Sequence, residues 1–189
     1  MTLSANHLTM EELEAGLEEI RRSPKDGGVL ELIVRRPQVD QREVLEEAQL
    51  DLIDGLVGDS WKHRSSSRMP DGQPHPEMQL NIMNSRVIAL IAQSVERWPL
   101  AGDQLYLDLD LSKENLPANS QLRVGSAIIE VSPLPHTGCQ KFTSRFGLAA
   151  MKFVNSSVGR QLCLRGINAR VIQSGVIRRG DVARKIGAS

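Results

Sequence analysis

Apolar and polar residues alternate most regularly in "QLYLDLDLS", residues 104–112, with Leu105, Leu107, Leu109 and Leu111 on one side and Tyr106, Asp108 and Asp110 on the other. A period of two is that of a strand with one buried face. Runs of the same kind over 29–35, 127–132 and 167–173 predict further strands of one β core. "QLRVG" and "EMQLNIMN" also read as strands, and the end, "QLCLRGINARVIQSGVIRRGDVARKI", as short strands punctuated by Gly turns.

Helical spacing appears in three places. In "TMEELEAGLEEIRRSP", Thr9 and Glu12 form a capping box, Met10, Leu13, Leu17 and Ile20 share a face, and Pro24 follows. "SRVIALIAQSVERW" places Val87, Ile88, Ile91, Ala92 and Val95 on one face, and "LAAMKFVNS" predicts a short helix. "DQREVLEEAQLDLIDGLVGD" is ambiguous by period and is read as a short helix running into a turn. Residues 60–76, polar and rich in turn formers, are expected to be an exposed loop more mobile than the core. The fold class is therefore α+β, mainly β: a barrel-like β core with peripheral helices at 27–189, preceded by a helical extension at 1–26.

Composition changes this picture little. At 189 residues, 40% apolar and 24% charged, the chain can bury a core without metal or disulfide staples. Aromatics at 3% are too few for a row of base-stacking rings. The acidic N-terminus does not read as a secretory signal, and no apolar run is long enough to suggest a membrane span. Two cysteines without an export signal give the expectation of a reducing cytoplasm.

Charge is more informative. Net charge is zero, yet residues 1–60 hold 14 acids against 6 bases, whereas 136–189 hold only Asp181 against ten Lys and Arg. The C-terminal third either faces something anionic or pairs with the acidic N-terminal part. The bases are dispersed among strand residues, which favours a small anion over nucleic acid.

The chemistry-bearing segment is "PLPHTGCQKFTSRFG", residues 133–147. His136, Lys141 and Arg145 lie close in sequence to Cys139, and cations favour the thiolate that makes a cysteine a nucleophile or metal ligand. The alternative is an inert cysteine in a connecting loop. Cys163, between two leucines, reads as a packed strand residue. His136 and Cys139 have a zinc-like H-x-x-C spacing, but a zinc site needs further ligands that His63 and His75 in the long loop do not obviously supply. No P-loop or dinucleotide fingerprint occurs, and the Arg-Gly-Asp tripeptide is explained as a turn.

"PHTGCQKFTSRFG" followed by "LRGINARVIQSGVIRRGD" resembles the MOSC domain, named for the C-terminal part of molybdenum cofactor sulfurase. The resemblance runs upstream through "GLVGD", "QLNIMNSRVIALIA", "AGDQLYLDLDLSKENLP" and "LRVGSAIIEVSPLPH", and so covers residues 27–186. It implies a mainly β, barrel-like fold and a pocket around Cys139. In relatives that hold molybdenum cofactor this cysteine ligates the metal, and in sulfurase-type relatives it has been proposed to handle sulfur. The expectation is thus a protein that binds molybdenum cofactor or carries sulfur, in sulfur or cofactor transfer or as a small molybdenum oxidoreductase, with Cys139 as catalytic residue and metal ligand. At family level only, pyridoxal phosphate is also associated. A sulfur donor or acceptor protein is a further expected partner, and a non-enzymatic module for an anionic small molecule or a partner protein is the alternative. Where bacterial members often carry His-Gly-Gly after the first Gly-Asp turn, this chain has "GDSWKHRSSSRMPDGQPHPE", which alters the expected pocket rim.

Molybdopterin carries a phosphate, and guanidinium groups bind phosphate through paired hydrogen bonds. His136, Lys141, Arg145, Arg165 and Arg170 are the cationic candidates for holding it, while Asn81, Asn115 and Asn168 could meet pterin amide edges, each offering donor and acceptor.

Overall fold

A computed structural model describes residues 7–187. Its elements in chain order are α1 (Met10–Ala15), α2 (Leu17–Arg21), β1 (Gly28–Arg35), β2 (Glu43–Leu45), β3 (Glu47–Asp51), β4 (Gly55–Leu56), β5 (Leu80–Asn84), α3 (Ser85–Ala92), β6 (Leu105–Asp108), β7 (Gln121–Val124), β8 (Ala127–Pro135), α4 (Gln140–Asn155), α5 (Ser157–Gln161), β9 (Ile167–Gln173), β10 (Gly175–Arg178) and β11 (Val182–Ile186). Seven strands close into a mixed barrel in the order β11-β7-β8-β9-β5-β6-β1, with β1 returning to pair with β11. Only β5 and β6 run parallel among the barrel pairs, and helix α3 makes part of the crossover between them. β10, β3 and β4 form a small second sheet.

Two apolar layers follow from the two faces of these strands. Leu30, Ile33, Ile82, Leu105, Leu107, Ile129 and Ala169 belong to the cluster inside the barrel. Leu32, Val34, Met83 and Tyr106 face outward, under Leu13 of α1, Val87 and Ile88 of α3, and Phe142, Phe146 and Phe153 of α4. Leu30 and Ile33, three residues apart, join the same layer because the β1–β6 register shifts between Leu30 and Leu32. Tyr106 is buried because its hydroxyl donates to Trp98 O at 2.7 Å, so both sides of β6 are covered.

The structure corrects several local readings. "DQREVLEEAQLDLIDGLVGD" forms β2, β3 and β4 rather than a helix. In β3 the buried residues Ala48 and Leu50 alternate with the exposed Glu47 and Gln49, and acidic strand residues are tolerated on the exposed side. The strand expected over 104–112 is regular only at Leu105–Asp108, although all four leucines reach the interior cluster. The N-terminal helix breaks at Gly16 into two, with the capping box in place. Val95 falls outside α3, which ends at Gln93 in the left-handed region; a 3-10 segment, Val95–Ala101, follows. Within 60–76, Trp61 is buried at the start of a single short turn and most of the rest is exposed.

Candidate functional site

β8 ends at Pro135, and the chain then crosses the barrel mouth through His136, Thr137 and Gly138 before Cys139 starts α4. Asn155 at the far end of α4 fixes this crossing: its side chain accepts from Gly138 N at 2.9 Å and donates to Gly138 O at 3.0 Å. Cys139 sits at the N-cap position in extended conformation, and its side chain is exposed.

His136 turns inward. Its Nε2 lies 3.3 Å from Oδ1 of the fully buried Asp103, whose other oxygen accepts from Arg165 at 2.7 Å. Arg165 also donates to Ala101 O and lies 5.0 Å above the Phe142 ring. Burial works to raise the Asp103 carboxyl, but the Arg165 charge and His136 beside it hold it below its ordinary value. Burial and the same Arg165 charge push His136 down, so the imidazole is neutral near pH 7. The expected cationic partner of Cys139 is thus a neutral ring engaged with a buried ion pair.

Beside this triad a second buried network ties the barrel mouth together. Arg36 and Asp59 pair at 2.9 Å with both side chains buried, and Arg36 also donates to Asn81 Oδ1 at 3.2 Å and Gly102 O at 2.7 Å. Asn81 donates to Asn168 Oδ1 at 2.7 Å, and Asn168 donates to Leu134 O at 3.1 Å. The structure therefore brings together His136, Asn81, and Arg165 with Asn168 from three distant segments, but with their polar atoms turned on one another.

The other candidates lie apart. Arg170 pairs with Glu130 at 2.7 Å and with Glu77 at 3.2 Å. Asn115 donates to Lys25 O and Asp110 O and accepts from Lys185. Arg145 donates to Leu100 O and meets Asp40 at 3.3 Å, and Lys141 is exposed on α4.

A groove of about 670 Å³ opens on the other side of His136. Leu116, Pro117, Leu134, Val154 and Ile167 supply apolar wall, and the exposed cations Lys113 and Arg160 line it with no acidic residue among the lining. Thr137, two residues before Cys139, lines it as well. Gly166 lets the chain pass here, since at φ +107° a Cβ would come within 2.2 Å of Ile82 O. Cys163 is a groove residue rather than the strand residue expected: it lies in a turn after α5, in the left-handed region at φ 51°, and burial pushes its thiol up. Lys113, Arg160 and Cys163 lack any spacing that would have singled them out in sequence, because the fold alone joins segments 113–118, 131–137 and 154–167. Among the described residues no group of three His, Cys, Asp or Glu could hold a metal ion, and no helix is long and apolar enough to cross a membrane.

Solved structures share this fold. The YUAD protein from Bacillus subtilis matches with a TM-score of 0.62 at 16% identity, over 86% of this chain and 97% of that one. YiiM from Escherichia coli matches at 0.54 and 19% identity, over 85% and 71% of the two chains. YiiM from Geobacillus stearothermophilus matches at 0.52 and 14%, over 86% and 73%. At these identities the likeness is one of fold. No family model matches the chain, and no curated protein matches it in sequence.

Proposed function

We propose that the chain is a MOSC-like protein that holds an anionic cofactor, molybdenum cofactor first among the candidates, in the groove beside the Cys139 loop. The observation that carries this reading is the groove itself: apolar walls, two cations and no acid, with Thr137 in its lining two residues before the exposed Cys139. The donor set fits the cofactor. Cys139 belongs to no group of three or more His, Cys, Asp or Glu that could hold a metal ion among the described residues. That suits a metal whose other donors come from its own pterin sulfurs, and it suits zinc poorly. Cys139 would hold the metal, while Lys113 and Arg160 would neutralise a phosphate. Leu116, Leu134 and Val154 would exclude water from the ligand body, and His136, kept neutral, would add no charge to the wall. When bound, such a cofactor supplies oxygen- or sulfur-transfer chemistry at molybdenum. The resemblance of residues 27–186 to MOSC sequences and the shared barrel support the reading.

A second reading is favoured by the exposure of Cys139: a carrier of persulfide sulfur without metal, or a non-enzymatic binding module. Molybdenum content of protein made in a molybdenum-replete host separates these. The cofactor reading expects bound molybdenum that Cys139→Ser removes. A mass increment of one sulfur atom on Cys139 with no molybdenum would instead establish the carrier.

A further inference from the structure

Four consecutive carbonyls at the end of the Val95–Ala101 segment each accept from a different arginine. Pro99 O takes Arg42 Nε at 3.2 Å, Leu100 O takes Arg145 Nη1 at 2.8 Å, Ala101 O takes Arg165 Nη2 at 2.9 Å, and Gly102 O takes Arg36 Nη1 at 2.7 Å. Carbonyls at a helical C-terminus attract cations, but the partial charge there is only about half a unit. It does not account for four arginines.

The carboxylates do not close the balance either. Asp59 neutralises Arg36 and Asp103 neutralises Arg165. Arg145 has only Asp40, at 3.3 Å, whose side chain is 74% exposed. Arg42 has no carboxylate within ion-pair distance among the described residues, and it is half-buried next to Arg145 and Arg36. Arg64 joins from the following turn: its Nε and Nη2 reach Ser60 Oγ, and Ser60 N donates to Arg36 O at 2.9 Å. It too has no carboxylate partner there. Arg42 Nη2 and Arg145 Nη1 both approach Gly102, at 4.0 and 3.9 Å from where a Cβ would stand, so the absent side chain leaves room between them. Packing and the like charges of neighbouring arginines lower the pKa of both Arg42 and Arg64.

We infer that Arg42, Arg64 and Arg145 form a binding site for a doubly charged tetrahedral oxyanion, phosphate or the terminal phosphate of a phosphomonoester. Two uncompensated guanidinium groups and a third with an exposed partner match a dianion in charge. The carbonyls of 99 and 100 and the Ser60 hydroxyl hold the forks in place before the anion arrives, which lowers the ordering cost of binding. The site shares no residue with the groove, so it stands or falls separately from the groove's ligand.

The test is calorimetric titration with sodium phosphate and with phenyl phosphate, alongside melting temperatures in phosphate and in chloride at equal ionic strength. The expected result is saturable binding and a saturable rise in melting temperature with phosphate alone. Affinity should fall at least about tenfold in Arg42→Gln and in Arg64→Gln and stay unchanged in Arg178→Gln, whose side chain pairs with Glu47 on the small second sheet. Binding of both probes would mark a phosphomonoester site, and binding of phosphate alone a free-ion site; either supports the inference. No heat with wild type, or a stabilisation equal in the arginine variants, would overturn it, the latter being the general effect of an excluded salt. Because wild-type titration is decisive alone, an arginine variant that fails to fold leaves the inference open to refutation.

Discussion

At the scale of single residues, Cys139 is the exposed thiol and Cys163 the more buried one, but the cations near Cys139 in sequence are engaged elsewhere. Cys139 is exposed at the start of α4, but of its three sequence-adjacent cations His136 is a neutral ring against Asp103 and Arg145 is committed to Leu100 O and Asp40. Cys163 faces the groove with its thiol pushed up by burial. Alkylation at pH 7.5 should therefore label Cys139 roughly tenfold faster or more, with Cys163 catching up as pH rises. Site-resolved mass spectrometry reads this, and Cys163 labelling first would contradict it. His136 gives a second prediction. Its folded pKa is below the unfolded value of 6.5, so the unfolded chain binds the extra proton and stability falls as pH drops below about 6.5. The depressed Asp103 carboxyl adds a separate loss at still lower pH. His136→Gln should flatten the decline in melting temperature between pH 6.5 and 5, and parallel profiles for the two proteins would show that the imidazole does not titrate as described.

At the scale of elements, period and punctuation made the barrel strands legible, because each presents one face to a closed interior and most have a Gly turn at one end. They failed where one face stays wet and polar, as in β3, whose Glu47 and the preceding Glu43 and Glu46 imitate a helix surface. They failed also at Gly147, which lies inside the "SRFG" run. There α4 kinks with φ 90° and ψ 165°, and a Cβ would stand 2.8 Å from His7 Nδ1. The kink lets Phe142 and Phe146 on one arm and Ala150 and Phe153 on the other all reach the outer layer. Gly147→Ala should lower stability by more than about 1 kcal/mol, since alanine resists positive φ and the space is filled. Urea denaturation checks it; an unchanged midpoint would mean that the kink relaxes freely.

At the scale of the whole molecule, charge asymmetry was the sequence feature that pointed toward an anion, but it does not mark where the unpaired cations gather. Arg170 and Arg179 of the basic third pair with Glu130 and Glu46, so much of the surplus closes on acids from elsewhere in the chain. Cations without a carboxylate partner among the described residues sit instead at the barrel mouth, where Arg42 and Arg64 come from outside that third, and along the groove at Lys113 and Arg160. No window of sequence holds that arrangement, because its residues come from segments far apart in the chain. The central claim is that the groove and Cys139 together hold a molybdenum-bearing anionic cofactor. Its most direct test is native mass spectrometry of wild-type and Cys139→Ser protein from a molybdenum-replete host, with molybdenum measured on the same samples. The account predicts a wild-type complex heavier by a phosphorylated pterin with its metal, and loss of the metal in Cys139→Ser while the fold is kept. Apoprotein mass in the wild type, or equal molybdenum in both proteins, would contradict it.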